Sequence, residues 1–302
     1  MSVKARLSPY LITRLSDGLG NQLFQYAVTR AFARALNYEL RLDLRWFGEG
    51  REREYLLKHF AIDAALATPQ ELPMIGYRGF FRQVCKAWLK ANGRLIVSNG
   101  APFEAIVQRI KPECYFFGYW QWPHFFLQDS ENLRKELELV TEPTSEAQAM
   151  IAKMRAGNSV SIHIRRGDYF SNLNFAKAFG SCGVEYYRAA SETLTELLGQ
   201  QPTYYVFSDD LPWARENLKL VGKAIFVDLN GAAAPHEDLR LMSCCKHHII
   251  ANSTFSWWGA WLNPDPTKVV VAPRHWYANR RDIQSPLLLP EFVLVENLSQ
   301  PI

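Results

Sequence analysis

Between Ser159 and Pro273 the sequence alternates apolar runs of strand length with helical patterns, and this rhythm constrains the fold more than any other feature. "SVSIHI" leads to helical "EYYRAASETLTELLG", "TYYVFSD" to "PWARENL", "AIFVDL" to "PHEDLRLMS" and "KHHIIAN" to "TFSWWGAWL", before "KVVVAP" closes the series. Strands joined by crossover helices pair side by side in parallel, because each helix carries the chain back across the sheet. The second half is therefore predicted to be a doubly wound parallel sheet.

The first half opens in the same way. "YLITRL" reads as a strand and "SDGLGNQ" as a turn. The helical stripe that follows has apolar residues at Leu23, Phe24, Ala27, Val28, Ala31, Phe32, Ala35 and Leu36, with Gln22, Gln25, Arg30 and Arg34 away from it. "YELRLDL" then completes a βαβ unit. From Trp46 to Lys111 the pattern is mixed, with "REREYLLKHF" and "RQVCKAWLKANG" as helical pieces; "YFFGYW" reads as a strand and "QDSENLRKELEL" as a helix. The polar, Pro-containing stretch Val140–Gln148 is read as a linker. This divides the chain into an N-terminal Rossmann-like domain over 1–142, a C-terminal one over 150–280, and a tail over 281–302 that packs back on the body.

Composition narrows the function. The 302 residues are 48% hydrophobic and 21% charged, which suits globular domains with sizeable cores. The net charge of +4 comes without basic tracts, so no nucleic-acid footprint is expected, and a small anionic ligand fits better. The N-terminus lacks a signal-peptide pattern and no run approaches ~18 apolar residues, so a cytoplasmic place is expected. Five cysteines without metal-ligand spacing read as reduced thiols, and the adjacent Cys244 and Cys245 as buried ones.

In open parallel sheets ligands bind beyond the carboxyl ends of the strands. Three strands of the second half end there in polar clusters: "HIRRGD" (His163 to Asp168), "FSDD" (Phe207 to Asp210) and "ANSTFS" (Ala251 to Ser256). Two arginines at the end of a buried strand need an anionic partner. Arg165 and Arg166 could find it in neighbouring acids or in a bound phosphate. Asn252, Ser253 and Thr254 stand where they can cap a helix whose first N–H groups would face the same anion. Asp209 and Asp210 resemble a metal pair, but adjacent residues on a strand point to opposite faces, so one is expected to cap the next helix or to meet a ribose or base. His163 reads first as a satisfied strand-end histidine, and Trp257, Trp258 and Trp261 as core. In the first half Gly18 and Gly20 permit a tight turn and Asn21 offers amide donors at a helix start. Gly18-x-Gly20 with Asp43 at the end of the next strand faintly resembles a dinucleotide fingerprint, although its third glycine is replaced by Leu23.

"GLGNQLFQYA", "HIRRGDY", "FSDD", "EDLRLMSCCKH" and "IIANSTFSWWGAWL", in this order, closely resemble the α-1,2-fucosyltransferases of glycosyltransferase family 11. The resemblance runs from Gly18 to Leu262 and is silent between 46 and 111. It implies a GT-B-like α/β architecture, two Rossmann-like domains facing across a cleft, with the N-terminal one on the acceptor side. It also implies inverting transfer of L-fucose from GDP-fucose to the 2-hydroxyl of a galactoside in O-antigen-like surface glycan synthesis. His163, Arg165, Arg166, Ser208, Asp209, Asp210, Asn252, Ser253, Thr254, Phe255 and Ser256 then form the donor side, with Arg165 on the diphosphate. Gly18, Gly20, Asn21 and Gln22 form the loop across the cleft. No cofactor or metal is expected. The implied partners are GDP-fucose and a galactose-containing glycan, with room for a peripheral place at the inner membrane where lipid-linked glycans are built.

The acceptor hydroxyl must lose a proton as it attacks, and two carboxylates compete for it. Asp168 lies on the arginine loop, where the cations weaken it as a base; Asp17 lies on the glycine loop with no cation beside it in sequence. A third possibility is that no enzymic carboxylate acts. Two other functions stay open on the residues alone: a nicotinamide-dependent oxidoreductase using the first βαβ unit, and a non-catalytic nucleotide- or carbohydrate-binding protein.

Overall fold

The computed structural model describes residues 8–48, 53–73, 80–98, 100–166, 182–231, 234–279 and 283–297. The chain divides into two units between Val140 and Thr141. In the first, strands β1 (Tyr10–Arg14), β2 (Glu39–Asp43), β3 (Ala65–Leu66), β4 (Leu95–Val97) and β5 (Tyr115–Phe117) form one parallel sheet in the order β3-β2-β1-β5-β4. Its helices are α1 (Leu19–Leu36), α2 (Phe80–Ala91), α3 (Phe103–Val107) and α4 (Ser130–Glu136). β1 is central, which is why Leu11, Ile12 and Thr13 are all buried.

Helix α1 buries more than its apolar stripe. Gln22 and Gln25 are as buried as Leu23 and Phe24. The Gln22 amide donates to the Glu54 carbonyl (2.8 Å) and accepts from the Leu56 N–H (2.9 Å). These bonds claim the backbone of residues 54–56, and among the described residues of the expected helix "REREYLLKHF" a helical turn forms at Leu57–His59. Further along α1, the side that looks solvated in sequence carries a charged cluster. Glu136 accepts from the Tyr26 hydroxyl (2.6 Å), Arg30 Nε (3.0 Å) and Arg34 Nη2 (2.5 Å), while Arg30 also meets Asp63 and Arg34 meets Asp129. Burial, reinforced by Glu136, pushes the Tyr26 phenol far above its ordinary pKa, so it stays a donor.

The second unit is a six-stranded parallel sheet, β11-β10-β9-β6-β7-β8, built from β6 (Ser159–Ile164), β7 (Thr203–Ser208), β8 (Lys223–Phe226), β9 (His247–Ile249), β10 (Val270–Pro273) and β11 (Val293–Val295). Helices α5 (Ser145–Ala156), α6 (Val184–Leu198), α7 (Leu211–Asn217), α8 (Pro235–Ser243) and α9 (Thr254–Leu262) accompany it. One segment differs from expectation: the second half of the tract read as a linker, Ser145 onward, is already helix α5, and the Thr144 hydroxyl caps it by accepting from the Ala147 N–H at 3.2 Å. The segment read as a tail pairs with the body as edge strand β11, and the Arg274 N–H donates to the Val295 carbonyl at 2.8 Å.

Every residue of β6 is buried, and its polar members are satisfied. Ser161 meets His248 Nδ1 (2.8 Å), whose Nε2 meets the Asn263 amide (3.0 Å). Trp257, Trp258 and Trp261 are core residues, and Trp257 Nε1 donates to the Leu287 carbonyl (2.9 Å). All five cysteines are free thiols; Cys245 is buried and Cys244 half-buried. Among the described residues no helix is long and apolar enough to cross a membrane.

The charged cluster makes a stability prediction. Glu136→Ala leaves a buried tyrosine hydroxyl and two largely buried guanidinium groups without their shared acceptor, so it should cost about 3 kcal/mol. For a unit of this size a thermal melt should shift down by roughly 10 °C. An unchanged Tm would mean that the cluster contributes nothing to folding.

Candidate active site

β6 and β7 pair in register from Ser159↔Thr203 to Ile164↔Ser208, so their carboxyl ends stop side by side. The residues after them interlock. Arg165 Nη1 lies 3.0 Å from Asp209 Oδ2, and the Arg166 N–H donates to Asp209 Oδ1 at 2.8 Å. Arg166 Nε donates to Asp210 Oδ2 at 3.2 Å, and its guanidinium lies 3.6 Å over the Trp213 ring. Asp210 also caps α7, accepting from the Trp213 N–H at 3.1 Å, and its own N–H donates to the Ser208 hydroxyl at 2.9 Å.

Arg166 is thus braced by backbone, carboxylate and ring. Arg165 has a quarter of its side chain exposed at the strand end. The expectation that Asp209 and Asp210 point to opposite faces is corrected: β7 ends at Ser208, the alternation lapses beyond it, and both carboxylates turn to the arginines. The helix-capping role expected of one of them falls to Asp210. Trp213 was not singled out in the sequence, where it reads as one more apolar helix residue.

His163 links this edge to the start of α9. Its Nδ1 lies 2.5 Å from the Ser256 hydroxyl, which also accepts from the Ala251 N–H (3.2 Å), and its ring lies 5.2 Å from Phe255. Burial drives its pKa down to about 4; nearby Asp209 opposes the shift and Arg165 adds to it. It is a neutral, packed histidine. Ser253 occupies the N-cap of α9 with extended dihedrals, but its side chain makes no capping bond. Asn252 is nearly buried: its amide donates to the Trp276 carbonyl (3.3 Å) and accepts from the Cys182 thiol (3.6 Å), so it pins the loop under the helix. Asp168 lies outside the described residues.

In the first unit the glycine loop is built differently from expectation. Gly18 is extended (φ −72°, ψ 166°), and a Cβ placed on it would meet nothing within 4 Å. The left-handed residue is Asp17, at φ 64°. A non-glycine residue there is strained unless its surroundings hold it. Two buried glutamines of α1 do so. Gln22 donates to the Asp17 carbonyl (2.8 Å), and Gln25 accepts from the Ser16 N–H (2.8 Å) while donating to the Ser16 hydroxyl (2.9 Å). Asn21, expected as a donor, accepts at Oδ1 from the Gln121 amide (3.0 Å). Gly20 lies inside α1. Burial, with the negative charge of Asp17 nearby, pushes the Tyr119 phenol up to about 12, so it stays protonated beside the Asp17 carboxylate. Neither Gln25 nor Tyr119 carried a signal in the sequence.

The dinucleotide alternative fails at Asp43. This carboxylate is 1% exposed and accepts from Arg45 Nε (2.9 Å), Arg45 Nη2 (2.8 Å) and the Tyr115 hydroxyl (2.6 Å). Burial opposes its charge, but these donors outweigh it and hold its pKa below the ordinary carboxylate range. It is committed to the interior and cannot take a ribose.

Two parallel Rossmann-like α/β units, one with cations and a helix start at the carboxyl edge of its sheet, place the chain among the doubly wound α/β proteins. The chain belongs to glycosyltransferase family 11, whose model, described as "Glycosyl transferase family 11", matches residues 4–296; it is a glycosyltransferase. It is 32% identical to an α-1,2-colitosyltransferase of Escherichia coli, over 91% of this chain and 94% of that protein. It is 31% identical to the O-antigen biosynthesis glycosyltransferase WbnK of Escherichia coli, over 87% and 94% of the two chains. A galactoside α-(1,2)-fucosyltransferase 1 of Leontocebus fuscicollis is 29% identical over 46% of this chain and 40% of its own length.

The neutral histidine predicts a pH dependence. His163 takes up a proton near pH 6.5 when unfolded and only near pH 4 when folded. Its contribution is complete above pH 6.5 and is lost as pH falls toward 4, reaching about 2 kcal/mol at pH 5. Burial of His248 acts in the same direction. Urea unfolding at pH 7 and pH 5 should show this loss; equal stability at both would mean that neither histidine is buried.

Proposed function

We propose that the protein is an inverting fucosyltransferase that moves L-fucose from GDP-fucose to the 2-hydroxyl of a galactoside during synthesis of a surface glycan such as an O-antigen. The observation that carries this reading is the interlocked edge of the second unit. Arg165 is held at the end of a buried strand and partly exposed, on the same sheet edge as the start of α9, which His163 ties to β6. An Arg fork beside a helix N-terminus suits a diphosphate. A guanidinium carries five N–H donors in a planar fork, the geometry that grips phosphate oxygens.

In this reaction the acceptor oxygen bonds to the anomeric carbon, the bond from that carbon to the diphosphate oxygen breaks, and GDP leaves with the electron pair. Arg165 and the α9 terminus stabilise the charge that grows on the leaving diphosphate. The acceptor proton passes to a carboxylate. Asp17 is favoured over Asp168 because its backbone is fixed by Gln22, whose amide donates to the Asp17 carbonyl. The peripheral place at a membrane expected from the sequence belongs to the same reading. A colitosyl donor is the second reading, supported by the 32% identity to a colitosyltransferase over most of both chains. Incubation with GDP-fucose or GDP-colitose and a panel of galactosides, followed by mass spectrometry, separates them.

Arg165→Lys keeps the charge and loses the planar fork, so kcat/KM should fall on the order of 10²-fold while Tm stays near that of the parent. If the variant melts earlier but keeps full turnover and GDP affinity, pairing with Asp209 is the only role of Arg165.

Asp17→Asn should lower kcat by roughly 10²-fold or more with GDP affinity nearly intact. Near-normal turnover in both Asp17→Asn and Asp168→Asn would remove carboxylate catalysis from these positions.

A further inference from the structure

Helix α2 sits on the first unit in an unusual way. Among the helix residues whose side chains are described, Leu89 is buried, 4% exposed, with Cys85 and Lys86 half-buried beside it. Lys86 lies along the sheet, with Nζ 3.5 Å from the centre of the Phe117 ring. At about 100° per residue, Val84, Ala87, Trp88 and Ala91 form an arc centred roughly 150° from Leu89. All four are exposed, Val84 at 47% and Trp88 at 59%. A surface helix ordinarily turns its apolar arc to the core. Here the boundary between apolar and basic rows is seated, and an apolar row containing a tryptophan faces outward.

The helix carries charge of one sign: Phe80–Ala91 contains Arg82, Lys86 and Lys90 and no acid. Lys90 and Arg94 are exposed at the carboxyl end of the helix, and Arg94 pairs with Glu113 at 3.0 Å. A two-fold contact between copies would bring these like charges together, and the centres of protein interfaces are depleted of lysine. Tryptophan beside lysine and arginine on a short helix is instead the composition that rests at the surface of an anionic bilayer.

We propose that this face of α2 docks on an anionic lipid surface, with Val84 and Trp88 entering the headgroup boundary and Lys90 pairing with lipid phosphate. The face belongs to the first unit and owes nothing to the donor site. It gives the expected membrane association a place on the molecule.

Sedimentation of the full chain with phosphatidylcholine vesicles, alone or with about one third phosphatidylglycerol, tests it. Binding should require the anionic lipid and weaken with salt. The double variant V84S/W88S should bind about tenfold less, and K90E roughly fivefold less, with melting and turnover of a soluble acceptor unchanged. Indifference of the parent protein to anionic vesicles would overturn the proposal, as would full binding by V84S/W88S. A concentration-dependent dimer that V84S/W88S abolishes would make the face a self-interface, and a raised acceptor KM with vesicle binding unchanged would make it a sugar platform; either contradicts the proposal. Vesicle binding by a protein that transfers no fucose would support the docking face while counting against the fucosyltransferase reading.

Discussion

The pairing of Arg165 and Arg166 with Asp209 and Asp210 is the interaction on which the functional half of the molecule depends. A strand as buried as β6 delivers its next two residues to the sheet edge whether or not anything there can satisfy a guanidinium. The neighbouring strand, in matching register, supplies one carboxylate for each. The four charges cancel, so the pairs fix geometry more than they create positive potential. In the proposed reaction a diphosphate would be held by the Arg165 guanidinium and the start of α9. The division of labour between the arginines follows. Arg166, under which Trp213 lies, is a strut; Arg165 is the one left a quarter exposed at the strand end.

The first unit solves a comparable problem with neutral groups. Asp17 adopts a backbone conformation that a glycine would take more easily, and Gln22 and Gln25 reach from α1 to hold the two residues of the turn. Charged residues in those positions would have required buried counter-ions; amides satisfy both donors and acceptors of the backbone without adding net charge. The same helix then uses Arg30 and Arg34 against Glu136, so α1 positions the loop at one end and ties down the 123–136 segment at the other.

The βαβ rhythm is legible because parallel strands leave unbroken apolar runs, and the seven strands β1, β2 and β6 through β10 follow from it. Short strands such as β3 and β4 were not, since two or three residues in a mixed context leave no period to read. The α5 start reads as a linker because Pro143 and Thr144 serve a cap and a loop equally well. "REREYLLKHF" has helical spacing, yet its backbone is claimed by the side chain of Gln22, 32 residues earlier for Glu54, which no local pattern records. At the site, the clusters at the strand ends were visible as residue types. Their partners were not: Trp213, Gln25 and Tyr119 acquire meaning only from tertiary contact, and Asn252 and Asp43 lose their expected roles because the fold buries them.

The central claim is that the interlocked edge of the second unit receives a guanosine diphosphate. A crystal structure of the GDP complex tests it most directly. It should show diphosphate oxygens within hydrogen-bonding distance of the Arg165 guanidinium and of the first N–H groups of α9, with Arg166 still stacked on Trp213. A diphosphate seated on the glycine loop of the first unit, with the Arg165 to Asp209 pair undisturbed, would contradict it.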